Sequence, residues 1–338
     1  MNIFITGGAG FIGTNTALHF SKEYDNRITI LDNLSRVGTN SNLLSMQKII
    51  GKRLQFINAD IRDTARYKKE LSKSDVVIHL AGQTAVTTST IDPITDFNTN
   101  VAGGFAVLDL VRKSNPKAIL LYASTNKVYG DLSHHTLKLR KNKKQYVNIV
   151  RPRGVNETEH LHFISPYGCS KGTIDQYMLD YAHTFGLHTV VFRQSCIYGP
   201  YQLGVEDQGW VAHFSKQFLG NKPITIFGDG YQVRDLLHVD DLIYLYERVI
   251  SSIHAVTGHA FNVGGGIKNA YSLIQVMDIL KKKIGTSPHI TFMNERVGDQ
   301  KYFVSDNSKA RKMLGWKPNT LFGSGIDTLI TWQKANLI

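Results

Sequence analysis

Short apolar runs alternate with amphipathic stretches along the first 196 residues of the chain. The apolar runs predict strands at residues 2–5, 28–31, 54–57, 76–79, 118–123 and 189–193. The amphipathic stretches predict helices near residues 11–22, 62–71, 100–114 and 170–185. Regular alternation of strand and helix favours an α/β fold, with a doubly wound parallel sheet and right-handed crossovers.

The pattern loosens beyond residue 197, where helices are predicted near 207–220 and 272–284. We expect a first domain over residues 1–196, to which the chain returns near 233–264 and 302–310. The rest of 197–338 is expected to form mainly a smaller substrate-binding lobe, interleaved with the first domain. Residues 131–166 form a long polar insertion in the first domain. Insertions of this length are usually functional or mobile.

A glycine-rich loop separates the first predicted strand from the first predicted helix. Gly7, Gly10 and Gly13 have the spacing of a dinucleotide-binding turn, which needs a tight bend, close approach of a pyrophosphate and close helix–strand packing. Free N–H groups at the start of the helix, at Phe11 and Ile12, attract phosphate. Strand, loop and helix together predict a nucleotide site of the Rossmann type.

Polar residues stand at the predicted ends of several strands. Asp32 ends the second strand, and its carboxylate suits a ribose diol and would repel a 2′-phosphate, which favours NAD over NADP. Arg36 leaves NADP open, because a guanidinium can accept the additional phosphate. Asp60-Ile61, Leu80 to Gln83 and Ser124-Thr125 end three further strands. Since such sheets bind ligands beyond the carboxyl ends of their strands, one cofactor cleft is expected there.

Tyr167 and Lys171 are four residues apart, so they share one face of a helix. An ammonium beside a phenol favours the phenolate and is expected to lower the tyrosine pKa towards the working pH. The hydroxyl of Thr125 completes a proton relay to a substrate alcohol. A Tyr-x-x-x-Lys pair is a weak signal alone, but combined with the nucleotide loop it predicts acid–base chemistry on an alcohol.

The chain is basic, with a net charge of +12, and its basic residues concentrate at Lys138 to Lys144. Such charge suits nucleic acid or an anionic surface, but no nucleic-acid motif accompanies it. We therefore expect solvated faces on a protein that handles a phosphorylated substrate. The pairs His134-His135 and His160-x-His162 have no third ligand at suitable spacing, so no metal site is expected.

Two cysteines, Cys169 and Cys196, argue against a disulfide scaffold and fit a reducing cytoplasm. No apolar run approaches the roughly 18 residues of a membrane span, and the chain starts directly in a predicted strand. Neither membrane attachment nor a signal peptide is expected. Cys169 lies inside the Tyr-Lys motif, but we interpret it as a small packing residue.

Nearly the whole chain resembles an extended short-chain dehydrogenase/reductase of the nucleotide-sugar epimerase/dehydratase family. The resemblance is carried by the glycine loop, the Tyr-Lys pair, and the motifs Asp32 to Arg36, His79 to Gly82, Tyr198 to Pro200, Gly228 to Gly230 and Val233 to Asp235. Within this family the chain is most similar to the branch that epimerises CDP-linked dideoxysugars at C2. The stretches Ser124 to Asp131, Ser165 to Lys171 and Asp207 to Val211 carry that closer likeness.

Two positions separate the chain from other branches. Sugar dehydratases of this family place Asp-Glu directly after the catalytic Thr, and this chain has Asn126-Lys127, which implies that it lacks the elimination machinery. Many 4-epimerases and dehydratases have Asn where this chain has Cys196, so a role carried over to that position is in doubt.

The resemblance implies conversion of CDP-paratose to CDP-tyvelose with tightly bound NAD, for lipopolysaccharide O-antigen synthesis. A UDP-sugar 4-epimerase is the alternative, and a non-catalytic NAD-sensing regulator is a remote one. Thr125, Tyr167 and Lys171 would be catalytic. Around these residues, the implied cofactor-binding positions are Gly7, Gly10, Phe11, Ile12, Gly13, Asp32, Asn33, Ser35, Arg36, Asp60, Ile61, Leu80, Ala81, Gln83, Asn100 and Ser124. The implied substrate-binding positions are Gln83, Asn126, Gln208, Gly209, Trp210, Arg234, Arg296 and Asp299.

The resemblance also implies self-association. Members of the family pair two helices from each subunit into a four-helix bundle, and the helices near 100–114 and 170–185 carry apolar residues on more than one face. A homo-oligomer, dimer or tetramer, is therefore expected.

Overall fold

The structure is a computed structural model that describes residues 1–296 and 298–337. Its centre is a seven-stranded parallel sheet in the order β12-β8-β5-β4-β1-β2-β3. The strands of this sheet are β1 (Asn2–Thr6), β2 (Arg27–Asp32), β3 (Leu54–Asn58), β4 (Val76–His79), β5 (Ile119–Thr125), β8 (His188–Gln194) and β12 (His259–Val263). All six predicted strands are confirmed, and β12 is the seventh.

The remaining strands form smaller sheets outside the central one. A hairpin, a parallel pair and a mixed four-stranded sheet contain β6 (Leu137–Arg140), β7 (Gln145–Asn148), β9 (Cys196–Tyr198), β10 (Ile224–Phe227), β11 (Val233–His238), β13 (Ala270–Ser272), β14 (Ile290–Met293) and β15 (Tyr302–Phe303). The hairpin β6–β7 lies within the insertion at residues 131–166, which is therefore partly ordered secondary structure.

Thirteen α-helices cover the sheets in the part of the chain that the structure describes. They are α1 (Phe11–Phe20), α2 (Thr39–Ile50), α3 (Lys68–Leu71), α4 (Val86–Ile91), α5 (Pro93–Phe97), α6 (Gly103–Ser114), α7 (Ser165–Phe185), α8 (Trp210–Leu219), α9 (Val239–Ser251), α10 (Ile253–Val256), α11 (Leu273–Ile284), α12 (Ser308–Leu314) and α13 (Phe322–Leu337). None of these helices combines the length and the apolar character needed to cross a bilayer.

Two helix predictions need correction. The helix expected at 62–71 is a 3-10 turn at Thr64–Arg66 followed by the single turn α3, because Tyr67 leaves helical geometry (φ −133°, ψ 0°) and is fully buried, donating to the Ile61 carbonyl. The helix expected at 100–114 starts as a π-helical turn at Asn98–Ala102 before α6. A π turn inside a helix often marks a functional site.

The core has a layer on each face of the central sheet. One layer packs β1, β2 and β4 against α1, α2 and α9, and the other packs the sheet against α6 and α7. A third apolar cluster, in the smaller lobe, joins α8, α11 and α13. The strand order reverses between β1 and β4, which opens a crevice at the carboxyl ends of these strands. The domain boundaries stay a prediction, although β12 and α12 do pack on the first domain.

Candidate active site

The three glycines of the β1–α1 loop each meet a different requirement. A Cβ on Gly7, which has φ +65°, would lie 2.8 Å from the Ala81 nitrogen, and one on Gly13 would lie 2.5 Å from the Gly7 carbonyl oxygen. These two positions are therefore closed by backbone packing. A Cβ on Gly10 would approach only the Gly7 carbonyl oxygen, at 3.2 Å, and Gly10 lines the crevice. Gly10 thus leaves room for a phosphate against the start of α1.

Asp32 is fixed at the end of β2 by the backbone. Its two carboxylate oxygens accept hydrogen bonds from the Ala9 N–H, at 3.1 Å, and the Leu34 N–H, at 2.8 Å. Burial raises its pKa, although both hydrogen bonds oppose the shift. The Arg36 guanidinium donates to the Thr84 hydroxyl, at 3.1 Å, and to the Gln208 side chain. Since Arg36 already has these partners, the arrangement favours a ribose diol, and hence NAD.

The crevice opens into one cavity of about 710 Å³ that extends from the glycine loop to the smaller lobe. The predicted residues that line it are Gly7, Gly10, Phe11, Ile12, Gly13, Asp32, Asn33, Ser35, Arg36, Asp60, Ile61, Leu80, Ala81, Ser124, Thr125, Asn126, Tyr167, Lys171, Gln208, Gly209, Trp210, Arg234, Arg296 and Asp299. Its size and glycine cradle fit a dinucleotide together with a second ligand.

Gln83 and Asn100, also predicted as binding residues, are not among the described residues that line the cavity. Asn100 is buried, and its side chain binds both the N–H and the carbonyl of Gln83 and donates to Asp96 and to the Ser170 hydroxyl at 3.0–3.1 Å. The Gln83 side chain closes on the backbone of Ala85. These two residues fix the turn after β4 to α7, and direct contact with ligand stays a prediction.

The three predicted catalytic side chains are buried together in the middle of the cavity wall. Thr125 ends β5, while Tyr167 and Lys171 lie one turn apart on α7, and at most 8% of each residue is exposed. The Lys171 ammonium stands 4.4 Å from the centroid of the Tyr122 ring, beneath which the His79 ring is stacked. The face of the Tyr122 ring stabilises the Lys171 ammonium through a cation–π contact, and none of the described carboxylates forms an ion pair with it.

The sequence predicted that the pKa of Tyr167 is lowered by Lys171. In the protein without its cofactor this prediction is wrong. Burial raises the pKa of Tyr167 to about 12, against the hydrogen bond with Thr125, which lowers it. Burial also lowers the pKa of Lys171 to about 7, although Asp96 and Asp175 favour its charge. Desolvation disfavours the charged form of both groups, and it is the largest influence on the pKa of each.

Two arginines, Arg234 on β11 and Arg296, also line the cavity. Arg234 is buried and donates to the Asp299 carboxylate at 2.7 Å, and Asp299 also accepts from the Lys127 ammonium at 3.2 Å. Arg296 pairs with Asp207 at 2.8 Å, with its guanidinium 3.8 Å from the Phe227 ring centroid. Guanidinium groups suit phosphate oxygens, and the predicted diphosphate contact of these two arginines stays a prediction.

Cys196 lies beside these residues as a neutral thiol. Its sulfur accepts a hydrogen bond from the Trp210 indole at 3.4 Å, and burial raises its pKa. Sequence reasoning missed several other polar residues of this wall, namely Lys127, Gln194, Ser195, Gln202 and Gln232. Gln194 and Ser195 had a sequence signal, because they follow the end of a predicted strand, and Lys127 had one in its position after the catalytic threonine.

The histidine pair in the insertion has a third partner that the sequence did not indicate. The Glu159 carboxylate lies 3.1 Å from the His134 ring and 3.3 Å from the His135 ring. The Arg151 guanidinium donates to the same carboxylate at 3.0 Å. An arginine in this position competes with a metal ion for Glu159, so we interpret the cluster as an ion-pair hub that orders the insertion.

Comparison with known proteins places this arrangement in context. The profile of the NAD dependent epimerase/dehydratase family matches residues 3–264. The chain is 40% identical to the CDP-paratose 2-epimerase of Salmonella typhi, over 99% of this chain and 100% of that protein. It is 30% identical to the dTDP-glucose 4,6-dehydratase of Salmonella typhimurium, over 99% of this chain and 93% of that protein.

Among solved structures, the chain is similar to a UDP-glucuronic acid 4-epimerase from Bacillus cereus in complex with UDP-glucuronic acid and NAD. The TM-score is 0.85 and the sequence identity 28%, with 99% of each chain covered. The likeness therefore includes both the sheet with its crevice and the smaller lobe.

Proposed function

Since this chain belongs to the NAD dependent epimerase/dehydratase family, we propose that it converts CDP-paratose to CDP-tyvelose by oxidising and re-reducing C2 of the sugar. The observation that carries this proposal is the 40% identity with a CDP-paratose 2-epimerase over the full length of both chains. The protein is an NAD-dependent nucleotide-sugar epimerase, and its glycine loop, Asp32 and Lys171 would hold the cofactor.

The catalytic wall accounts for the proton transfers of this reaction. Tyr167, as the phenolate, accepts the proton of the C2 hydroxyl, and Thr125, its hydrogen-bond partner, bridges the two groups. When bound, NAD supplies a hydride acceptor and a positive charge that favours the phenolate. Lys171 would hold the ribose of that cofactor. Tyr167 returns the proton after the 2-keto sugar has presented its other face.

Asn126 and Lys127 argue against sugar dehydration. Elimination of water needs a general acid and a general base beside the sugar, and the amide of Asn126 provides neither. Its side chain donates to Gln300 at 3.1 Å. Burial lowers the pKa of the Lys127 ammonium, while its pairing with Asp299 opposes that shift. In that ion pair the charged ammonium cannot act as a base. Besides bound NAD, an oxidation that is reversed at the same carbon needs only the proton transfers that Tyr167 and Thr125 provide.

The second end of the cavity suits the rest of a nucleotide sugar. We assign the diphosphate to Arg234 and Arg296, and the base pocket to Gln208, Gly209 and Trp210. Asp299 orients Arg234 through their 2.7 Å ion pair. The product would serve as a dideoxysugar donor for O-antigen synthesis. Two unbridged cysteines, Cys169 and Cys196, support a cytoplasmic setting.

The alternative is a UDP-sugar 4-epimerase, which the likeness to the B. cereus enzyme favours. We expect the purified protein to turn over CDP-paratose at least 100-fold more efficiently, in kcat/KM, than UDP-glucose, which is about 2.7 kcal/mol of discrimination. Coupled product analysis with both substrates measures this ratio. Equal or reversed efficiencies would favour the 4-epimerase, and bound NAD with no turnover of either sugar would favour a regulatory role.

We propose further that α6 and α7 pair with those of a second subunit. Phe105, Tyr177 and Phe185 are 36–47% exposed and form an aromatic row along these helices with Tyr181. Exposed aromatic rows of this kind mark protein interfaces. The protein should sediment as a dimer or tetramer at micromolar concentration, and Tyr177→Glu should shift it to monomer. Tyr24→Glu, at an exposed site elsewhere, is the matched control; an unshifted Tyr177→Glu would contradict the assignment.

A further inference from the structure

Two cations share one carboxylate in the cavity wall next to the catalytic threonine. Asp299 accepts from the Arg234 guanidinium at 2.7 Å and from the Lys127 ammonium at 3.2 Å. The cluster therefore carries one excess positive charge. Arg234 and Lys127 offer only 9% and 17% of their side chains to solvent. A partly desolvated excess charge is costly unless a ligand provides electron-rich atoms.

The backbone ties Lys127 to the reacting end of the cavity. Its N–H donates to the Thr125 hydroxyl at 3.2 Å, so a 3-10 turn that starts at Asn126 positions Lys127 directly after the catalytic residue. The loop at residues 298–300 holds this turn from the other side. Gln300 binds both Asn126 and the Gly130 carbonyl, and the Gly298 carbonyl accepts from the Lys127 ammonium at 3.2 Å.

The ammonium of Lys127 has three donors, and acceptors in the described part of the chain use two of them. Gly298 and Asp299 are these two acceptors, and Lys127 lines the cavity. The third N–H is therefore available to a ligand at the level of Thr125, where the sugar must stand if Thr125 and Tyr167 act on its hydroxyl. Arg234 and Arg296, which also line the cavity, are the groups assigned above to the diphosphate.

We propose that Lys127 is a specificity-determining residue that donates a hydrogen bond to a hydroxyl of the sugar ring and not to the nucleotide. This inference rests on the proposed function, that a nucleotide sugar is the substrate. A 3,6-dideoxyhexose joined through C1 has free hydroxyls at C2 and C4. Since the C2 hydroxyl belongs to Tyr167 and Thr125, the C4 hydroxyl is the partner of Lys127.

The test compares a sugar nucleotide with its nucleoside diphosphate. In Lys127→Met, calorimetry should show CDP-paratose binding on the order of 10- to 100-fold more weakly, the range expected for a hydrogen bond from a charged donor, with a matching fall in kcat/KM. Binding of CDP should stay within about threefold of wild type, because Arg234 keeps Asp299 as its partner. Lys144→Met, which breaks an exposed ion pair with Asp278, is the matched control. It should change the affinity for neither CDP nor CDP-paratose.

Equal weakening of CDP and CDP-paratose would overturn the proposal in favour of a nucleotide contact, as would unchanged binding of both. If Lys127→Met does not fold, Lys127→Gln takes its place, and failure of both variants to fold would assign Lys127 a purely structural role. Wild-type turnover of CDP-paratose tests the proposed function separately. Without that turnover, the same comparison is made with UDP-glucose and UDP, where selective loss of the sugar nucleotide would still support the sugar contact.

Discussion

Tyr167→Phe should lower kcat by roughly 100- to 10,000-fold, the usual contribution of a general acid–base group. The variant removes one hydroxyl from a side chain that is 8% exposed and leaves its ring in place. Because that hydroxyl is the proton acceptor of the wall, the C2 hydroxyl loses its base, while the fold and the bound NAD should be retained. The loss should appear mainly in kcat, since the nucleotide contacts are untouched.

Steady-state rates, the melting temperature and the absorbance of co-purified NAD together test this assignment. Tyr146→Phe is the matched control. It removes a phenol hydroxyl on the insertion hairpin, which is hydrogen-bonded to the Asp229 carboxylate. The control should keep wild-type kcat. A Tyr167→Phe enzyme within threefold of the wild-type rate would refute the role of Tyr167 as the base.

Local signals in the sequence predicted the central sheet well. Buried parallel strands such as Val76–His79 read as continuous apolar runs, and the glycine loop marks the β1–α1 turn. The prediction of a continuous helix at 62–71 is wrong because tertiary packing places Tyr67 in the core. The hydrophobic periodicity of the sequence does not indicate this packing. In the smaller lobe the helices expected near 207–220 and 272–284 are confirmed as α8 and α11. Its short strands were not predicted, since they pair across distant segments, as β10 does with β14.

The site divides in the same way. Tyr167 and Lys171 are neighbours on one helix, so spacing alone brought them together, whereas Lys127 meets Asp299 across 172 positions of the chain. The pKa values of Tyr167 and Lys171 depend on burial by the whole fold, so the pairwise argument from an ammonium beside a phenol gave the wrong direction. Glu159 joins the histidine pair through the folding of the insertion, 25 residues from His134.

The hydrogen at C2 should stay with the sugar throughout the reaction. A base can exchange a C–H with solvent only where a neighbouring carbonyl makes it acidic, and the substrate offers no such carbonyl beside C2. The glycine loop and the Tyr167-Lys171 wall would instead serve an oxidation, in which Tyr167 takes the proton of the C2 hydroxyl and NAD, held by the glycine loop, supplies the acceptor for the C2 hydride. That hydride returns to the opposite face of C2 without meeting water.

In D2O, CDP-tyvelose should therefore form without deuterium at C2, and substrate deuterated at C2 should keep its label in H2O. NMR of the product locates any deuterium and separates C2 from C3, where a transient 2-ketone can exchange with solvent. No added NAD should be needed if the cofactor co-purifies. Substantial deuterium at C2 from solvent would exclude hydride transfer and, with it, the roles given to Thr125, Tyr167 and Lys171. Two results together would show that the proton and the hydride take separate paths: the wild-type enzyme retains the C2 deuterium, and Tyr167→Phe abolishes turnover.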